Sequence, residues 1–96
     1  MEFDIADFVG VQSIQSITEQ LVEREKQRRK KMNMSQKELA SKSGVSYASV
    51  RRFERIGEIS LNSLLKIANA LDCLEDFNNI FKMPVVKDLK DYEIYD

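Results

Sequence analysis

Two glycines, Gly44 and Gly57, and three serines set before apolar runs, Ser35, Ser46 and Ser60, cut the middle of this chain into segments with room only for short helices. Ser35 opens the run Ser-Gln-Lys-Glu, the spacing of a capping box, in which the hydroxyl of Ser35 and the carboxylate of Glu38 satisfy two amides that a helix start leaves unpaired. The helix so opened is predicted to end at Ser43, since Gly44 adopts left-handed backbone without a Cβ penalty. Ser46 then caps a second helix, residues Tyr47 to Arg55, which Gly57 terminates. After Ser60, the residues Leu61, Leu64, Leu65, Ala68 and Leu71 recur at helical spacing through Asp72.

The flanks follow the same pattern. From Ser13 a longer first helix is expected to run to about Met32, with apolar residues at 14, 17, 21 and 32, and Asn33 after it tolerates a left-handed turn. A last short helix, Leu74 to Phe81, is expected to bury Leu74, Phe77, Ile80 and Phe81 before Pro84 bars continuation. With three glycines and one proline in 96 residues, the fold class expected is all-α. The organisation expected is an N-terminal arm at 1-12, one helical domain at 13-83 and an acidic C-terminal tail at 84-96. Alternation at Tyr92-Glu93-Ile94 in that tail hints at a strand too short to weigh.

Composition removes several function classes. Histidine is absent and Cys73 is the single cysteine, so the commonest metal ligand and general base is missing and no internal disulfide forms. No glycine-rich phosphate loop or carboxylate pair at a recognisable spacing occurs, and Cys73 reads as a small, partly buried apolar residue. No metal, no cofactor and no enzymatic activity are therefore expected. The longest uncharged run, Phe8 to Thr18, is too short and too polar to span a bilayer.

The formal net charge of −1 conceals a division along the chain. Residues 1-23 carry five acids and no base, residues 24-66 carry twelve bases and four acids, and residues 67-96 carry three bases and seven acids. A basic middle between acidic ends is the footprint of a face that binds a polyanion while the rest of the surface repels it. The second short helix sharpens this. Its apolar residues, Val50 and Phe53, are spaced by three, which leaves Tyr47, Ala48, Arg51, Arg52 and Arg55 around the outside. Two short helices joined by a glycine turn, the second with a basic outer face, make a helix-turn-helix. Leu39 and Ala40 face the second helix, Ala40 being small where the axes cross, and Val45, Val50 and Phe53 seal the underside. The face left free fits the major groove of duplex DNA.

The run from Met34 to Arg55, with Gln36, Ala40, Gly44, Val50 and Phe53-Glu54, resembles the Xre/Cro family of phage and bacterial repressors, and Gly57 to Leu71 is similar to that family's fourth helix. The resemblance implies a compact five-helix, lambda-repressor-like domain whose third helix enters the major groove of operator DNA, usually as a two-fold dimer. By position it implies base contacts from Tyr47, Ala48, Arg51 and Arg52. It implies backbone contacts from Gln36, Lys37, Ser46, Ser49 and Arg55, and a structural pair between Arg29 and Glu54. Glu25 and Arg28 depart from the family, which has apolar residues there, so the first helix is expected to be rotated or to leave the core at its amino-terminal half. Asn33 and Asp72 stand where glycine is common.

A narrower resemblance, from Arg52 to Leu61 and through Leu74-Glu-Asp-Phe77, is to HipB-type antitoxins, which implies autoregulation and a HipA-like kinase toxin as partner. The sequence thus points to a dimeric, sequence-specific DNA-binding repressor, cytoplasmic and nucleoid-associated in a bacterial or phage setting. Of the adjacent arginines, about 100° apart on a helix, Arg51 is expected at bases and Arg52 at the backbone. The alternative is a protein-interaction adaptor that uses the helical module to hold a partner protein and binds DNA only weakly and without sequence preference.

Overall fold

A computed structural model describes residues 12–85; the arm and tail outside that range, with the strand hinted at Tyr92, lie beyond the described residues. Four α-helices and a final 3-10 helix follow one another: α1 Ile14–Lys31, α2 Gln36–Ser43, α3 Tyr47–Ile56, α4 Leu61–Ala70 and the 3-10 helix Leu74–Asn79. The domain is all-α, as the sparse turn formers imply.

Each α-helix starts on a serine whose hydroxyl accepts an amide of the first turn: Ser13 from Ser16, Ser35 from Glu38, Ser46 from Ser49 and Ser60 from Ser63. At Ser35 the reciprocal bond is also present, Ser35 N donating to Glu38 Oε1 at 2.9 Å. Satisfying these amides locally lets eight- and ten-residue helices begin where they do. Gly44 and Gly57 end α2 and α3 at φ 78° and 76°, and Asn33 and Asp72 take the left-handed positions at φ 58°. The Asn and Asp side chains tolerate what β-branched residues do not.

The core sits where α2, α3 and α4 converge. Leu39, Val45, Val50, Ile67, Ala70 and Leu71 form one buried cluster, with Met32, Met34, Ala40, Ile59 and Cys73 packed on its edge. Phe53 is fully buried beside it. Close packing at the α2–α3 crossing fixes the angle of α3 and so the direction in which its outer residues point.

One expectation requires correction. Leu74, Ile80 and Phe81 are exposed, Phe81 completely, and only Phe77 is half-buried. A six-residue 3-10 helix has a single stripe at i and i+3 spacing, and it lays one residue of that stripe against the domain instead of four. In α4 the deeply buried residues are Ile67, Ala68, Ala70 and Leu71, while Leu61 is exposed and Leu64 and Leu65 are half-buried. The core lies toward the carboxyl end of α4, so that end carries the burial.

The reading of α1 stands in one of its two forms. Ile14 is 89% exposed and Ile17 is half exposed, so the amino-terminal half of the helix leaves the core. The buried side is Val22, Glu25 and Arg29. Arg28 stays outside and reaches across to α4, donating through Nε to the carbonyl of Leu71 at 2.5 Å and through Nη2 to that of Asp72 at 3.1 Å. A guanidinium on the last carbonyls of a helix satisfies acceptors that the helix cannot and lies at the negative end of its dipole.

Candidate nucleic-acid interface

The buried floor of the interface is polar. Arg29 donates through Nε and Nη2 to the two carboxylate oxygens of Glu54, each at 2.8 Å, and through Nη1 to the carbonyl of Met34 at 2.9 Å. Gln36 Nε2 donates to Glu54 Oε1 at 3.0 Å. Four segments are thereby tied through the Arg29–Glu54 pair: α1, the loop after it, the first residue of α2 and the inner side of α3. A bidentate arginine–carboxylate pair holds orientation as well as distance, so α3 is braced against rolling about its own axis.

Glu25 adds a second acid to this site. It is 8% exposed, Arg29 Nε is 3.9 Å from its Oε2, and neither of its oxygens accepts a hydrogen bond among the described residues. Burial first, then the Glu54 carboxylate beside it, push Glu25 up to about 9, against the opposing pull of Arg29 and Lys26. Glu25 therefore favours its protonated form at neutral pH. Burial raises Glu54, but the bonds it accepts from Arg29 and Gln36, with the neighbouring Glu25, outweigh that and leave it below the usual carboxylate range. A neutral Glu25 beside an ionised Glu54 and one arginine gives the site a net charge near zero.

Above this floor lies a cleft of about 660 Å³ lined by Lys26, Gln36, Ala48, Arg51, Arg52, Glu54 and Arg55. Four cations, Lys26, Arg51, Arg52 and Arg55, surround it. Tyr47, at the first turn of α3, stands between two more contacts: Lys37 Nζ and Arg51 Cζ each lie 5.5 Å from its ring centroid. Cations placed over an aromatic face are attracted by its quadrupole, so the ring spaces Lys37 and Arg51 apart and limits their freedom.

The residues expected to meet DNA are thus gathered on one surface, but not all are equally free. Tyr47, Ala48, Arg51 and Arg55 are exposed. Ser46 and Ser49 are hydrogen-bonded to each other at 2.8 Å as part of the α3 cap. The amide nitrogen of Gln36 is engaged by Glu54, and Arg52 Nη2 is paired with Glu58 Oε1 at 2.5 Å. Sequence reasoning missed Lys26 and Glu58. Lys26 was one base among six in a run, and only the burial of Val22 and Arg29 shows which side of α1 it flanks. Glu58 lies beyond the helix, and its reach back to Arg52 depends on the left-handed turn at Gly57.

A profile of the family described as helix-turn-helix matches residues 26–77, more than half the chain and the whole of the braced α2–α3 unit. The chain belongs to the Xre/Cro-like helix-turn-helix family. No curated protein and no solved structure gives a match. As a helix-turn-helix protein it is a DNA-binding transcriptional regulator of the Xre type, in a family that is regulatory and not enzymatic. The match begins at Lys26, so it leaves out the whole amino-terminal half of α1. Among the described residues no helix is long and apolar enough to cross a membrane, and no group of acids or cysteine is placed to hold a metal ion.

Proposed function

We propose that this helix-turn-helix protein is a sequence-specific repressor that inserts α3 into the major groove, with Arg51 as its principal base-reading residue. The observation that carries the reading is the state of Arg51. It projects from a helix clamped by Leu39, Val50 and Phe53 beneath, it has no carboxylate partner among the described residues, and its guanidinium is steadied by Tyr47. An arginine so presented can donate two bonds to guanine O6 and N7, the pairing that discriminates this base from the others.

Around it, Lys26, Lys37 and Arg55 are suited to phosphate, and they supply affinity without sequence information. Ala48 offers a methyl to a thymine methyl, and the exposed Tyr47 adds a ring and a hydroxyl to the same surface. Gln36, Ser46 and Ser49 retain acceptor or donor capacity for the backbone at the amino ends of α2 and α3, where the helix dipoles favour phosphate.

Repression follows from occupancy of a promoter. A two-fold dimer, with half-sites about one helical turn or roughly 34 Å apart, is supported by the exposed Leu74, Ile80 and Phe81 around the 3-10 helix. The HipB-like phrase from Arg52 to Leu61 extends the reading to an autoregulating antitoxin with a kinase-like partner. Selection of bound sequences from random duplexes at physiological salt tests the whole reading. A recurrent two-fold motif is expected, and binding without any enriched sequence would favour the adaptor alternative.

A further inference from the structure

Glu58 follows the cap residue of α3 and has no part in the core. Its side chain is 63% exposed, and that of Arg52 is 58% exposed, yet Arg52 Nη2 and Glu58 Oε1 lie 2.5 Å apart. Among the described residues, this is the one ion pair on a face that also holds Lys26, Lys37, Arg51 and Arg55. The pair adds little to the fold, because both side chains are solvated and the interaction is screened. Its position matters more. Gly57 at φ 76° turns the chain so that Glu58 reaches back along α3 to Arg52, one of the residues lining the cleft.

A phosphate approaching Arg52 must therefore displace a carboxylate, and the displaced carboxylate is left close to the incoming anion. That exchange gives little on an arbitrary duplex, where the gain of one phosphate contact is offset by the loss of Glu58 and by repulsion from it. On a duplex whose bases fix the register of α3, Arg52 is delivered to a defined position and the exchange becomes favourable.

We infer that Glu58 is a specificity-determining residue that holds Arg52 in reserve, lowering affinity for non-specific DNA more than for the operator. The inference rests on the proposed base-reading role of α3 and adds to it a residue outside that helix.

The test uses the full chain and two probes, a random-sequence duplex and the duplex recovered by selection. Glu58→Gln should tighten binding to the random duplex several-fold, tighten binding to the selected duplex less, and so lower the ratio between them. The plot of log affinity against log salt on the random duplex should steepen by about 0.9, the value for one further phosphate neutralised. In an Arg52→Ala background the same change should leave that slope unaltered. An unchanged slope in Glu58→Gln, or an equal gain with Arg52 absent, overturns the inference, the second outcome showing that only the loss of a negative charge is at work. A wild-type chain that binds both probes with equal affinity overturns the base-reading proposal itself, and with it this inference. Normal selectivity with no response to Glu58→Gln overturns the inference alone.

Discussion

Arg29 and Glu54, 25 residues apart in the chain, meet through two parallel 2.8 Å hydrogen bonds at a site that solvent barely reaches. The pair joins α1 to α3 and takes in Gln36 at the start of α2, so the orientation of the recognition surface depends on one buried carboxylate. Breaking such a pair from one side leaves the other charge buried without its partner. Glu54→Ala is therefore expected to destabilise the domain by about 3 to 5 kcal/mol. Denaturant unfolding checks this, and a loss below about 1 kcal/mol would show that the pair is not what holds α3.

Glu25 gives the opposite sign. Its pKa is raised from 4.5 to about 9 on folding, so the native state holds a proton that the unfolded chain releases. The stability that goes with this proton is complete below about pH 4.5 and is lost as pH rises toward 9. Glu54, lowered on folding, contributes in the reverse sense: its stabilisation is present above its unfolded value and is lost as pH falls through the folded one. Unfolding midpoints in urea are expected to fall from pH 5 to pH 8.5 in the wild type. Glu25→Gln, which keeps the side chain's shape but cannot ionise, should flatten that fall and raise stability at pH 8 by about 1 kcal/mol or more. An equally steep fall in the variant would place the titrating group elsewhere.

The two turn glycines are expected to differ in their response to alanine. At Gly44 a Cβ meets nothing within 4 Å, so Gly44→Ala is opposed only by the left-handed φ and should cost about 1 kcal/mol. At Gly57 the same Cβ falls well inside van der Waals contact with Thr18 Cγ2 of α1. Gly57→Ala should cost more, and a Thr18→Ala background should restore part of the loss. Thermal unfolding of the four proteins gives the coupling, and additive effects would mean that α1 moves aside freely.

On DNA, Arg51→Ala is expected to weaken the selected site by about 1 to 3 kcal/mol and to relax preference at one base pair per half-site. Lys37→Ala should weaken all duplexes alike. Tyr47→Leu removes the ring between these two cations and should reduce discrimination more than it reduces affinity for random duplex. Sequence selection repeated with each variant provides the measurement. Unchanged preference in Arg51→Ala would remove Arg51 from base reading.

Arg28 serves the scaffold. Arg28→Ala withdraws two donors from the carbonyls of Leu71 and Asp72, and a loss of about 1 kcal/mol is expected in unfolding experiments, with no change in sequence preference on DNA.

The amino-acid sequence alone determined where the four α-helices begin and where α2 and α3 end, because caps act over three or four residues: Ser35 with Glu38, Ser46 with Ser49, and Gly44 and Gly57 at left-handed turns all work without distant partners. It also determined that α3 is apolar beneath and basic above, since Val50 and Phe53 share a face at helical spacing. Tertiary packing decided which side of α1 faces inward, and so exposed Ile14 and Ile17 while burying Glu25 and Arg29. It likewise brought Lys26 to the cleft, turned Arg52 onto Glu58 and left Phe81 in solvent. Helical periodicity ranks residues by apolarity alone, whereas a buried acid is stable only when folding supplies it a partner, as at Glu54, or a proton, as at Glu25, and neither can be read from one helix considered by itself.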